Sequence, residues 1–226
     1  MPRPVRTVRS FVARAGRMTR AQERAWQELW PDLGLEGADS LLDLDAVFGR
    51  SARRTVEIGF GNGEALVALA AAHPAEDFLG IEVHRPGVGH LMLRCEELGV
   101  GNLRILSQDA VEVLGQRLAP ASIDELLLYF PDPWPKKRHH KRRIVQDGFV
   151  ALVASRLRSG GVFRLATDWQ PYAEWMLETL GRCPQLSNES PDGVWSPRPA
   201  SRPPTRFELR GQRLGHDVRD LAFRKI

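Results

Sequence analysis

The feature that most constrains this chain is an alternation that begins at Arg54. Short apolar runs at 54–59, 77–83, 103–107, 123–130 and 161–166 are rich in Ile, Val, Leu or Phe. Between them, segments 64–72, 86–98, 110–118, 143–157 and 171–180 carry helical periodicity, as Leu66, Leu69 and Ala70 illustrate. Strand and helix in succession predict an α/β fold: a doubly wound, mostly parallel sheet with helices on both faces. The succession breaks near the end. Segments 205–210 and 218–225 read as two strands around Gly211 and Gly215 with no helix between them, which predicts an antiparallel C-terminal edge hairpin. Upstream, Thr19 is placed to cap a helix running to about Leu29 and ended by Pro31.

With 226 residues, 42% of them hydrophobic, the chain can bury one sizeable core. We therefore expect a single domain over 31–226, preceded by a basic arm and helix over 1–30. No apolar stretch is long enough for a membrane span, so no membrane partner is expected. The start lacks the basic, apolar, small-residue succession of a secretion signal. Cys95 and Cys183 lie far apart with no CxxC or Cys/His cluster, which fits reduced thiols in a cytoplasmic protein without a metal. The formal net charge is +4, but its distribution says more. Residues 1–24 hold seven Arg and a single acid, Glu23, and six of the eight residues from Lys136 to Arg143 are Lys or Arg. Such asymmetry points to a nucleic acid partner.

A doubly wound sheet binds its ligand beyond the carboxyl ends of its strands. The first run leads into Glu57-Ile58-Gly59-Phe60-Gly61-Asn62-Gly63-Glu64. Glycines at alternate positions let a ligand approach the backbone closely. The spacing departs from the dinucleotide GxGxxG, and Glu64 stands where that motif needs glycine. Glu57 and Glu64 would repel a pyrophosphate and attract a cation, so the preferred ligand is S-adenosyl-L-methionine, which carries a sulfonium and an ammonium. Glu82, ending the second run, can accept from ribose hydroxyls, a signal shared with nicotinamide enzymes. Asp109 can accept from an adenine amino group or cap the helix starting at Ala110. The fourth run ends Phe130-Pro131-Asp132-Pro133-Trp134-Pro135. Its prolines hold Asp132 stiffly, and Phe130 and Trp134 offer flat surfaces for a base. The cationic strip follows at once, suited to a phosphate backbone. Asp168, ending the fifth run, can hold a base or cap the helix near Pro171.

Taken together, these stretches resemble the bacterial tRNA (guanine-N7)-methyltransferases. The likeness runs from Arg9-Ser10-Phe11-Val12 through the glycine loop, Ile81-Glu82-Val83-His84, the Phe130–Trp134 segment and His140–Gln146, to Ala166-Thr167-Asp168-Trp169 and Thr205-Arg206-Phe207-Glu208. It implies a class I (Rossmann-like) methyltransferase fold. It also implies methyl transfer from S-adenosyl-L-methionine to N7 of the variable-loop guanine, position 46, of tRNA. By position, Glu57, Gly59, Gly61, Gly63, Glu82, Asp109 and Asp132 match the cofactor site, with Asp132 also the catalytic residue. Lys136, Asp168, Thr205, Arg206, Phe207 and Glu208 match substrate-binding positions. Arg138, His139, His140, Lys141, Arg142 and Arg143 are expected to contact RNA. The family usually has Lys at Arg206 and often differs at Pro135 and His140, which we read as variation in the RNA contact. A monomer or a homodimer is expected. The alternatives are a methyltransferase acting on another acceptor, a nicotinamide-dependent dehydrogenase, and a non-catalytic RNA-binding module.

Overall fold

A computed structural model of the chain describes residues 16–36, 40–200, 202, 208 and 217–226. Its helices are α1 (Arg20–Glu28), α2 (Trp30–Leu33), α3 (Leu44–Phe48), α4 (Glu64–Ala72), α5 (Arg85–Leu98), α6 (Ala110–Glu112), α7 (Asp147–Arg156) and α8 (Gln170–Gly181). The strands are β1 (Arg54–Ile58), β2 (Asp77–Ile81), β3 (Leu103–Leu106), β4 (Ile123–Tyr129), β5 (Leu157–Thr167), β6 (Leu186–Asn188) and β7 (Arg219–Lys225). One seven-stranded sheet has the order β3-β2-β1-β4-β5-β7-β6. Strands β1 to β5 run parallel, and β7 lies antiparallel between β5 and β6. The doubly wound sheet and the antiparallel edge are both present.

Pleating sends alternate residues of β1 to opposite faces. Val56 and Ile58 join a core with Leu126, Leu128, Phe149, Val153 and Met176, under α7 and α8. A second core, on Leu66, Val67, Phe78, Val88, Leu91 and Met92, lies under α4 and α5 and takes in Ala25 of α1. Thr19 starts α1 with a capping box, accepting from Gln22 N while the Gln22 side chain accepts from Thr19 N. A cap of this kind contributes about 1 kcal/mol. Among the described residues, no helix is long and apolar enough to cross a membrane.

Several boundaries differ from the sequence expectation, each for a local reason. Pro31 does not stop the chain but opens α2, where its missing N–H costs nothing. Helix α6 lasts one turn before a π-turn over Val113–Arg117. The helix expected from Arg143 starts at Asp147, because the cationic strip forms its own 3-10 turn over Lys137–Arg142. Among the described residues, β7 pairs with β5 on one side and β6 on the other. Of the strand expected over 205–210, Glu208 is helical, and the rest of that segment lies outside the described residues.

Candidate active site

Chain winding reverses between β1 and β4, the neighbours at the centre of the sheet. Their registers align Ile58 with both Ile81 of β2 and Leu128 of β4. The residues following each strand therefore emerge along one edge. Gly59 N–H still bonds Ile81 O, Glu82 N–H bonds Leu106 O and Phe130 N–H bonds Ala166 O. Glycine turn, ribose-type acid and proline loop all leave the sheet at this switch point, where such folds bind ligands.

The glycine turn is held from behind and open in front. Gly59, Gly61 and Gly63 have φ of 72, 59 and 76°, a region that L side chains rarely occupy. Around Gly59 and Gly61, nothing stands within 4 Å of where a Cβ would be. At Gly63 a Cβ would overlap Leu91, and a Cβ on Gly87 of α5 would overlap Gly61 O. Helix α5 is thus pressed against the back of the turn. Glu82 fixes it sideways: Oε2 accepts from Gly61 N at 2.9 Å, and Oε1 accepts from Val83 N and His84 N at 2.7 and 2.9 Å. His90 Nδ1 lies 2.9 Å from Asn62 O.

Glu57 is 5% exposed on the face opposite Val56 and Ile58. Burial, and then the neighbouring Glu82 charge, push its carboxyl up to about 8. It lines the upper end of a polar groove of about 220 Å³ that also includes Tyr129, Arg164 and Arg202. A cation bound beside this buried acid would favour its ionised form. The donor set and the open front of the turn therefore fit the ammonium and nucleoside of S-adenosyl-L-methionine. Asp109 is the N-cap of α6, accepting from Val111 N at 2.9 Å, so its capping role is realised.

The proline loop carries unusual backbone. Phe130 and Trp134 both have positive φ, 51 and 43°. A left-handed non-glycine residue costs on the order of 1–3 kcal/mol and persists only where the surroundings hold it. Between the two, Asp132 is exposed at the sheet edge. The holding comes from the cationic strip. A 3-10 turn repeats every three residues, so its side chains fall into three stripes. His139 and Arg142 share one stripe, and both pack on Trp134: the His139 ring lies edge-on at 5.9 Å, and Arg142 Cζ sits 5.0 Å from the indole centroid. His140 and Arg143 share the second and pack on Trp175, at 5.9 and 5.2 Å. Arg138 and Lys141 form the third stripe and are exposed, as are Lys136 and Lys137. Partial burial, and then the charges of Arg138, Arg142, Lys136 and Lys141, hold His139 below the usual imidazole range.

Two expected contact residues are placed differently. Arg143 is only 3% exposed and donates Nε–H to Pro133 O at 2.9 Å, so it braces the proline loop from inside and does not face solvent. Glu208 is 1% exposed, receiving both Arg202 amino groups at 2.8 and 3.2 Å and pairing with Arg198 at 2.9 Å. Buried Arg202 also reaches Asp220 Oδ2 at 3.1 Å and lies over the rings of Tyr129 and Phe130. Glu208 is thus taken up in a buried ion-pair cluster with Arg202 and Arg198. Thr205, Arg206 and Phe207 lie outside the described residues. Asp168 directly follows β5 and is half-buried, and the N-cap of α8 falls one residue later, on Trp169. Sequence reasoning missed Arg202, Tyr172 and Trp175. Arginine among prolines and aromatics inside a helical pattern give no local sign of what they will touch.

Among known proteins, a family model described as "Putative methyltransferase" matches residues 51–221. The tRNA (guanine-N(7)-)-methyltransferase of Pseudomonas paraeruginosa is 55% identical over 99% of this chain and 92% of its own length. That of Stutzerimonas stutzeri is 55% identical over 99% and 94%. Two solved structures share the fold at low identity. The antibiotic-resistance methyltransferase Kmr has a TM-score of 0.57 and 13% identity, covering 85% of this chain and 94% of its own. The 16S rRNA methyltransferase KamB has a TM-score of 0.55 and 14% identity, covering 86% and 99%. Near-complete coverage at more than half identity joins the glycine turn, the paired acids and the braced proline loop to one lineage: the chain belongs to the tRNA (guanine-N(7)-)-methyltransferase family.

Proposed function

We propose that this protein transfers a methyl group from S-adenosyl-L-methionine to N7 of a guanine in tRNA, the variable-loop guanine at position 46. One observation carries the reading: a glycine turn open to a ligand and a backbone-locked Asp132 leave the sheet at the same switch point.

Glu57, Gly59, Gly61, Gly63, Glu82 and Asp109 would hold the cofactor, which supplies an electrophilic methyl on a cationic sulfur. Guanine N7 has an in-plane lone pair that is unprotonated at neutral pH. The chain therefore needs no strong general base, and none of its histidines is assigned that role. Its task is alignment, which can supply several kcal/mol of the barrier. Positive charge grows on the purine as N7 bonds the methyl. A carboxylate fixed beforehand, Asp132, stabilises that charge without reorganising. Phe130 and Trp134 offer flanking surfaces, and Asp168 with Thr205, Arg206 and Phe207 completes the hold on the base. Lys136, Lys137, Arg138 and Lys141 take the phosphate backbone. N7 in a duplex lies in a deep groove that side chains do not enter, so the base is opened or flipped before reaction.

Labelled methyl transfer to an unmodified tRNA transcript tests the reading. Chain cleavage at 7-methylguanosine after borohydride treatment should map the label to the variable loop, and a transcript lacking that guanine should stay unlabelled. Label on another base, or none at all, would overturn the assignment.

A further inference from the structure

Arg143 is a buried cation without an acid. Its side chain is shielded from solvent, no carboxylate of the described residues pairs with it, and its Nε donates to Pro133 O at 2.9 Å. Two aromatic rings hold the guanidinium: Tyr172, whose centroid lies 4.9 Å from Cζ, and Trp175, at 5.2 Å. Both rings belong to α8, which packs beneath the sheet with Tyr172 fully buried. Trp175 is fixed in turn by donating Nε1–H to Val145 O at 2.8 Å. Gln146 donates to the carbonyls of His140 and Arg143 and closes the end of the 3-10 turn.

Desolvating a guanidinium is costly unless something is gained by fixing it. Here the gain is a donor aimed at the carbonyl directly after Asp132, between two residues of left-handed backbone, Phe130 and Trp134. Proline at 133 has no N–H to share in a ladder, so its carbonyl is the loop's available handle.

We infer that Arg143 is a positioning residue for the methyl transfer. It acts through Pro133 to hold Asp132 in reacting geometry, and it does not touch the RNA. The inference rests on the methyltransferase reading and deepens it. Arg143 belongs to the same cationic strip as Lys141 but does a different job, set by which stripe of the 3-10 turn it occupies. A lysine cannot replace it. An ammonium lacks the flat face that lies against two rings and the fixed in-plane Nε–H.

The wild-type protein, Arg143→Met, Arg143→Lys and Lys141→Met are compared on unmodified tRNA. The readouts are kcat, KM, the affinity for tRNA as a function of salt, and the affinity for S-adenosylhomocysteine. Arg143→Met should lower kcat at least tenfold, with tRNA affinity, its salt slope and S-adenosylhomocysteine affinity within twofold of wild type. Arg143→Lys should recover less than half of the lost rate. Lys141→Met should instead reduce the salt slope by about 0.7–0.9, the share of one phosphate contact. Should Arg143→Met not fold, Trp175→Leu removes one ring face and should give the same split between kcat and binding. An Arg143 variant that loses salt slope as Lys141→Met does, or that keeps full kcat, would overturn the inference. Absence of methyl transfer by the wild-type protein would instead sink the functional reading itself.

Discussion

Asp132 is held through its backbone. Its neighbours on either side of the two prolines carry the strain, so the carboxylate arrives already placed and exposed. Replacing it with alanine should lower kcat about 10²-fold or more, the scale seen when a preorganised charge-stabilising group is lost. S-adenosylhomocysteine affinity should change by only a few-fold; equal losses of binding and rate would refute a catalytic assignment. Glu57 poses a different problem, because its neutral form is the favoured one in the free protein at pH 7. The native state holds a proton that the unfolded chain releases near pH 4.5, so stability should fall as pH rises from there to about 8. The limiting slope is about 1.4 kcal/mol per pH unit. Glu57→Gln should flatten that decline in thermal melts between pH 5 and pH 8. Tyr129, Arg164 and Arg202 line the same groove, and the Glu57 charge adds to burial in pushing the Tyr129 hydroxyl up, so the comparison is read below the range where a tyrosine ionises. In the wild type, a ligand ammonium should drive the proton off. S-adenosylhomocysteine should then bind more tightly at pH 8 than at pH 6, and calorimetry in buffers of different ionisation enthalpy should report a released proton. A pH-independent affinity would remove Glu57 from the cation's surroundings.

Elements dominated by a single rule were legible in the sequence. The range 64–72 was read as helix and is α4, because a glycine stop precedes it and an apolar face runs through it. Thr19 marked the start of α1, and the structure adds Gln22 as its capping-box partner. The five parallel strands were legible because buried strands are apolar runs with little competing pattern. What escaped were elements set by contacts far away in sequence. Helix α7 starts late because Arg143 is drawn down onto Tyr172 and Trp175, which lie some thirty residues on. The partner of β7 escaped because β6 is only three residues long, too short to show alternation. The glycine turn was found by spacing, but its dependence on α5 was not, since Gly87 looks like an ordinary helix-weakening residue. Its role now gives a test. Gly87→Ala places a methyl against Gly61 O and should cost about 1–3 kcal/mol, the usual range for overpacking. A lowered melting temperature and weakened S-adenosylhomocysteine binding would both follow. If binding alone were intact, the turn would not depend on that contact.

At the level of the whole molecule, the charge asymmetry seen in the sequence survives folding only in part. Of the strip, Lys136, Lys137, Arg138 and Lys141 face solvent, while Arg143 is withdrawn and Arg142 lies over Trp134. The exposed charge of the strip is smaller than composition suggests, and counting basic residues overstates it. Neutralising Lys137, Arg138 and Lys141 together should reduce the salt slope of tRNA binding by about 2–3. It should leave kcat at saturating tRNA nearly unchanged. An unaltered slope would place the RNA track elsewhere on the protein.

The threefold repeat of the strip has a further consequence for how this segment can diverge. A residue inserted between Lys137 and Arg142 would rotate everything after it by a third of a turn. The side chain now wedged between two rings would swing toward solvent, and Arg142 would be brought to the buried position in its place. Exchanging one exposed cation for another, by contrast, disturbs nothing beneath it. Length, more than charge, is what this stretch cannot vary.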